Sequence, residues 1–184
     1  VARKLNSFFL LHFSQKMNIN IVSTRFNQDT WRQNMNYRLK HKEFNCIYGS
    51  PKPLTEKIII HSLLFVIEMN NTTNQIEGIG LIRNHPKINR PIYSIGNFNR
   101  YTYQGKYRIN RDLLLEKNQK LVECLDYILF KEKTHMKRGS GFTMIPEKLM
   151  KHRKCEEMEI KKEIVDLFHS IYKVEEKDKN EYDE

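Results

Sequence analysis

The feature that most constrains this chain is a pair of apolar runs, LLFVIEM at 63–69 and IEGIGLI at 76–82, joined by the polar link NNTTNQ at 70–75. Two such runs around a short polar link predict a β-hairpin, with a link longer than the tightest turns use. The second run carries Gly78 and Gly80 at alternate positions. Glycine weakens a strand unless another backbone or side chain must approach closely. Side chains alternate across a strand, so both glycines lie on one face, as a sharply coiled small barrel requires. The sheet continues through 100–109, where Tyr101, Tyr103 and Tyr107 alternate with Arg100, Lys106 and Arg108, and Gly105 predicts a bulge.

Charge narrows the partner. Lysine and arginine number 32 against 22 acidic residues, a formal net charge of +10. From Val174 onward the chain holds six acidic residues and two lysines, which leaves the body near +14. A strongly basic body predicts a polyanionic partner, RNA or DNA. Cys46, Cys124 and Cys155 are odd in number and far apart, and so read as neither a disulfide framework nor a zinc site. That usage suits a reducing, intracellular compartment. There is no HExxH, CxxC or GxxxxGK[ST] pattern, so no cofactor, metal site or nucleotide-binding loop is assigned.

Residues 1–16 read as a leader or as disordered, since the apolar patch at 8–13 is too short to span a bilayer, and Met17 opens the domain. A strand is expected at 20–24, then a helix from Asp29 or Thr30 to about Lys42. One face of that helix is basic, and Trp31 sits in its first turn. Residues 44–53, FNCIYGSPKP, read as a loop rich in turn chemistry, with Tyr48 available to a site. Residues 83–91, RNHPKINRP, form a positive loop, and 92–95 a short strand. Asn110 caps a turn through 112–116, and 118–130 has helical spacing. The stretch 131–146 brings Lys137 and Arg138 next to Gly139 and Gly141, a loop able to offer cations and N–H groups to phosphate. Residues 156–172 form an amphipathic helix, and 174–184 a disordered acidic tail. The expected fold is α+β, one domain over 17–173: a small twisted β-barrel of about five to six strands with flanking helices.

The strand–helix–strand opening, the apolar strand at 63–67 and the GIGLI strand at 78–82 are similar to the PUA-like superfamily, with EVE and YTH-type members nearest. The segments NRYTYQGKYRI at 99–109 and HMKRGSG at 135–141 also resemble uncharacterised proteins of large DNA viruses, which would place the chain in host cytoplasm or nucleus. The PUA-like resemblance implies a cleft beside the barrel that accepts a nucleotide, often an extruded base read by stacking and by its pairing edge. On this reading Trp31, Tyr48, Tyr101 and Tyr103 stack on bases, and Arg83, Arg100, Lys106, Arg108, Lys137 and Arg138 meet phosphates. Asn99, with Asn34, Asn70 and Asn71, reads base edges. The expected function is a non-catalytic RNA- or DNA-binding module with no membrane association. The alternatives are a nuclease-like enzyme using Glu68, Glu77, Asp112 or His135, and a viral structural or assembly protein.

Overall fold

The structure is a computed structural model that describes residues 19–131, 133 and 135–181. The expected leader at 1–16, Met17 and the last residues of the tail lie outside them. The elements are β1 (Asn20–Phe26), α1 (Gln28–Lys40), β2 (Cys46–Ser50), β3 (Leu63–Asn70), β4 (Gln75–Arg83), β5 (Lys87–Ile88), β6 (Tyr101–Gly105), β7 (Tyr107–Asn110), α2 (Arg111–Phe130), β8 (Thr143–Met144), α3 (Glu147–Met150) and α4 (Ile160–Glu181). The fold is mixed α+β, as the hairpin and helical spacings predict.

Among the described residues the strands form two sheets and no closed barrel, one sheet ordered β7-β4-β3-β1-β8 and one β2-β6-β5. The β3–β4 hairpin is present, and β1 joins it in parallel, with Ile21 opposite Phe65 and Thr24 opposite Glu68. β6 pairs with β2, while β7, one residue further on, pairs with β4. A single run of chain thus serves both sheets and bends at Gly105–Lys106, where the bulge is expected. Two of the four edge strands, β5 and β8, have two residues each, too few to carry pairing around into closure.

Several boundaries move for local reasons. Asn27, not Asp29 or Thr30, caps α1: its side chain accepts from the Thr30 N–H at 2.8 Å, and Thr30 Oγ1 accepts from the Asn27 N–H at 3.0 Å. This is a capping box. The expected helix at 118–130 is the second half of α2. Asn118 leaves helical geometry (φ −156°, ψ 75°), and its side chain accepts from the Leu121 N–H at 3.0 Å. The expected strand at 92–95 is a loop, because Asn99 Oδ1 accepts the Ile92 and Tyr93 N–H groups at 3.0 and 2.9 Å. The presumed loop at 44–53 contains β2, with Ile47 and Tyr48 fully buried. Helix α4 runs to Glu181, into the stretch expected to be disordered.

Two cores sit on opposite faces of the larger sheet. Ile21, Phe65, Ile67 and Ile79 pack with Leu121, Leu125, Ile164 and Phe168 of α2 and α4. Val22, Leu64, Val66 and Ile82 pack with Trp31 of α1 and with Ile47, Tyr48 and Tyr103 of the smaller sheet. Contrary to the unpaired reading of the cysteines, Cys124 and Cys155 form a disulfide across 31 residues, and Cys46 is free and buried. Sequence spacing could not reveal that pair, since its halves meet only where α2 packs on the turn at 153–155.

The alternating glycines receive the second core. A Cβ on Gly80 would run into the Tyr48 hydroxyl and Cys46 Sγ, and one on Gly78 would lie 2.9 Å from Glu68 Oε2. A Cβ on Gly105 would collide with the Leu81 carbonyl, which explains the bend there. Gly80→Ala is therefore expected to destabilise the fold by about 1–3 kcal/mol, the usual cost of overpacking. Gly96→Ala, with nothing within 4 Å, should leave the urea midpoint unchanged. Equal midpoints for the two variants would refute the close-approach account.

Candidate nucleic-acid interface

A buried polar chain links the two sheets through α1. Glu68 is fully buried, and Arg108 grips it with both arms: Nη2 to Oε2 at 2.6 Å and Nε to Oε1 at 2.9 Å. The Tyr48 hydroxyl donates to Oε1 at 2.7 Å. Arg108 and Arg38 lie 5.7 and 5.4 Å from the Trp31 ring centre, a double cation–π contact. Arg38 Nε donates to Asn34 Oδ1 at 3.0 Å, and Asn34 Nδ2 donates to the Tyr93 hydroxyl at 3.0 Å. Burial pushes the pKa of Glu68 up, but the charge and hydrogen bonds of Arg108 outweigh it, so the net shift is downward. Burial pulls Arg108 down and Glu68 raises it, for a net rise. Burial raises the Cys46 thiol and the Tyr93 hydroxyl to about 12 each, so both stay protonated at neutral pH.

The expected site residues divide accordingly. Trp31, Tyr48 and Tyr103 are 7%, 0% and 1% exposed. Their rings pack in the core and offer no open stacking face. Tyr101 is half-buried, with Arg100 5.9 Å from its ring centre. Arg108 is held by Glu68. Asn99 holds the 92–93 backbone, and Asn34 and Asn70 are buried in internal hydrogen bonds. Glu68 and Glu77 do not pair: Glu77 accepts from Asn70 Nδ2 at 2.7 Å. Arg83 pairs in register with Leu63 at the start of β3, and Lys106 sits beside Gly105, the partner of Cys46 at the start of β2. Both therefore lie at the strand ends opposite Lys137 and Arg138.

Those two lysine and arginine residues belong to a loop that closes a cavity of about 190 Å³ between the end of β1, the start of α1, and Gly49, Tyr93 and Phe98. Sequence reasoning picked out the loop but missed the cavity, whose other walls come from four distant stretches, around Thr24–Thr30, Gly49, Asn71 and Tyr93–Phe98. Arg25 fixes the loop from below. Its guanidinium donates to the Met136 carbonyl, to the Gly141 carbonyl at 3.4 Å and to Thr143 Oγ1 at 3.0 Å. Asn71 Nδ2 donates to the Lys137 carbonyl at 2.9 Å, while its Oδ1 is buried without a donor among the described residues. Gly139 and Gly141 have φ of 99° and 71°, the left-handed region open to glycine. No carboxylate lines the cavity, and Asp29 in the first turn of α1 is paired with Arg32 at 2.8 Å.

A second concavity, about 1140 Å³, lies beside α4, the Cys155 turn and β1. Five acidic residues and three lysines mix along it, so its lining selects no sign of charge. Among the described residues no cluster of His, Cys, Asp and Glu could hold a metal ion, and no helix is long and apolar enough to cross a membrane. No family model, curated protein or solved structure matches the chain.

Glu68→Gln should cost about 3–5 kcal/mol at neutral pH, because it leaves Arg108 buried without its anion. The lowered Glu68 pKa fixes the sign of the pH dependence. Its stabilisation is complete above the unfolded glutamate value of about 4.3 and fades as pH falls through the lower folded value. The stability gap between wild type and variant should hold from neutral pH to about 4.3 and narrow below it. Urea melts across that range test this, and a gap that widens in acid would contradict it.

Proposed function

We propose that the chain is a non-catalytic nucleic-acid-binding module that engages its partner chiefly through the phosphate backbone. The observation that supports this most is the cavity above: free of carboxylates, lined by Arg25, and bordered at Gly139–Gly141 by the loop that also carries Lys137 and Arg138, on a body near +14. Phosphate contacts dominate the affinity of such modules and make it depend on salt. Arg100 lies two residues beyond Phe98, a wall of the cavity. Phe98 and Tyr101 are partly exposed rings, suited to sequence-tolerant stacking on a base. We place the fold with the PUA-like superfamily on the same footing. What supports it is the curved pair of sheets sharing the bent strand at 101–110, with α1 following β1.

Fluorescence anisotropy with labelled single-stranded RNA and DNA tests the function. With about three phosphates neutralised, affinity should fall about twentyfold between about 50 and about 200 mM salt. Lys137→Glu with Arg138→Glu should weaken binding at least about tenfold and flatten the salt slope by about one unit or more. Affinity that ignores salt, or a double variant that binds as wild type does, would overturn the reading.

A further inference from the structure

The cavity at the start of α1 is built for one small anionic group. The N–H groups of Arg138, Gly139, Ser140 and Gly141 make no hydrogen bond among the described residues, and Gly139, Ser140 and Gly141 line the cavity. Successive free amides around left-handed glycines form an anion-binding concavity. Across from them is the N-terminal end of a thirteen-residue helix, which favours negative charge.

Two further observations point to a ligand independently of that backbone geometry. Thr24, between Val22 and Phe26 on the α1 face of β1, is 4% exposed and lines the cavity, yet its hydroxyl has no hydrogen bond among the described residues. That hydroxyl is open to the cavity, and an acceptor entering there would take its hydrogen bond. Arg25 also lines the cavity, bonds only to neutral oxygens and forms no ion pair among the described residues. Burial alone lowers its pKa, as expected of a cation with no counter-charge at hand.

A flat base fits this lining less well. The rings of Tyr93 and Phe98 are perpendicular, at 89° with centres 6.4 Å apart, and make no parallel-walled slot. A phosphate needs no slot. It needs converging donors, a positive field and freedom from carboxylates. Thr24 is recessed, so the phosphate that reaches it must be a chain end. An internal phosphodiester carries a sugar on each side and stays at the mouth.

We propose that this cavity is a cradle for a terminal phosphate monoester, held by the amides of Gly139, Ser140 and Gly141 and the hydroxyl of Thr24, in the field of Arg25 and the α1 terminus. That the phosphate belongs to a nucleic acid rests on the function proposed above; the cradle itself does not. The test compares one single-stranded oligonucleotide bearing a 5′-phosphate, a 3′-phosphate or neither, and titrates inorganic phosphate while following the Gly139 and Gly141 amide resonances. The expected result is at least about tenfold tighter binding of one phosphorylated end, with amide shifts that saturate in inorganic phosphate. Thr24→Val, which keeps the side-chain shape, should shrink the ratio between phosphorylated and unphosphorylated strands to less than about threefold. Equal affinity for all three strands with unmoved amides overturns the cradle, while salt-dependent binding of those strands would leave the module reading standing. Amide shifts with inorganic phosphate but no binding of any strand support the cradle and overturn its assignment to nucleic acid.

Discussion

The structure turns on the ion pair between Glu68 and Arg108. A carboxylate with no exposure in the middle of β3 is tolerable only with a full set of partners. It has them: two arms of Arg108 from β7 and the hydroxyl of Tyr48 from β2. The pair therefore does more than neutralise charge. It forces strands from both sheets to meet at one point, and through Trp31 and Arg38 it sets where α1 lies. Apolar packing alone would let one sheet slide over the other; a bidentate contact admits one register.

The glycines of β4 are the sequence's half of that bargain. Their missing side chains let Tyr48 and Arg108 come down onto the strand. Gly105 lets β6 pass close to the Leu81 carbonyl before β7 peels away into the other sheet. The same close approach explains why so many rings expected at a surface are interior. Tyr48 and Tyr103 lie on β2 and β6, which face the large sheet rather than water, and Phe142 covers both edge-on, with ring centres 6.2 and 5.2 Å away.

What was legible in the sequence was local. The hairpin, the one-sided glycines and the helical spacing at 118–130 follow from periodicity and backbone sterics, and each is present; at Gly105, where a bulge was expected, the chain instead leaves one sheet for the other. What escaped was settled by partners far along the chain. β2 hides among turn residues because its signal is only Ile47 and Tyr48. The strand expected at 92–95 is undone by the Asn99 side chain. An alternation of tyrosine and arginine reads equally as a stacking platform and as an internal cation–π packing, and only burial separates the two. The loop at 137–141 was visible as glycine next to lysine and arginine. The recess beneath it was not, since Thr24 and Arg25 are more than a hundred residues away.

The Cys124–Cys155 bond closes a covalent ring around that loop. Both β8 and the 137–141 segment hang inside it, so the chain cannot splay at this point even when its non-covalent contacts loosen. In the chain-entropy view, a ring closed across a sequence separation of 31 removes roughly 3–4 kcal/mol of freedom from the unfolded chain. A segment fettered in this way loses less disorder when it seizes a guest than a loose arm would. The tether that holds the helical layer shut thus also primes the loop on its far side for capture.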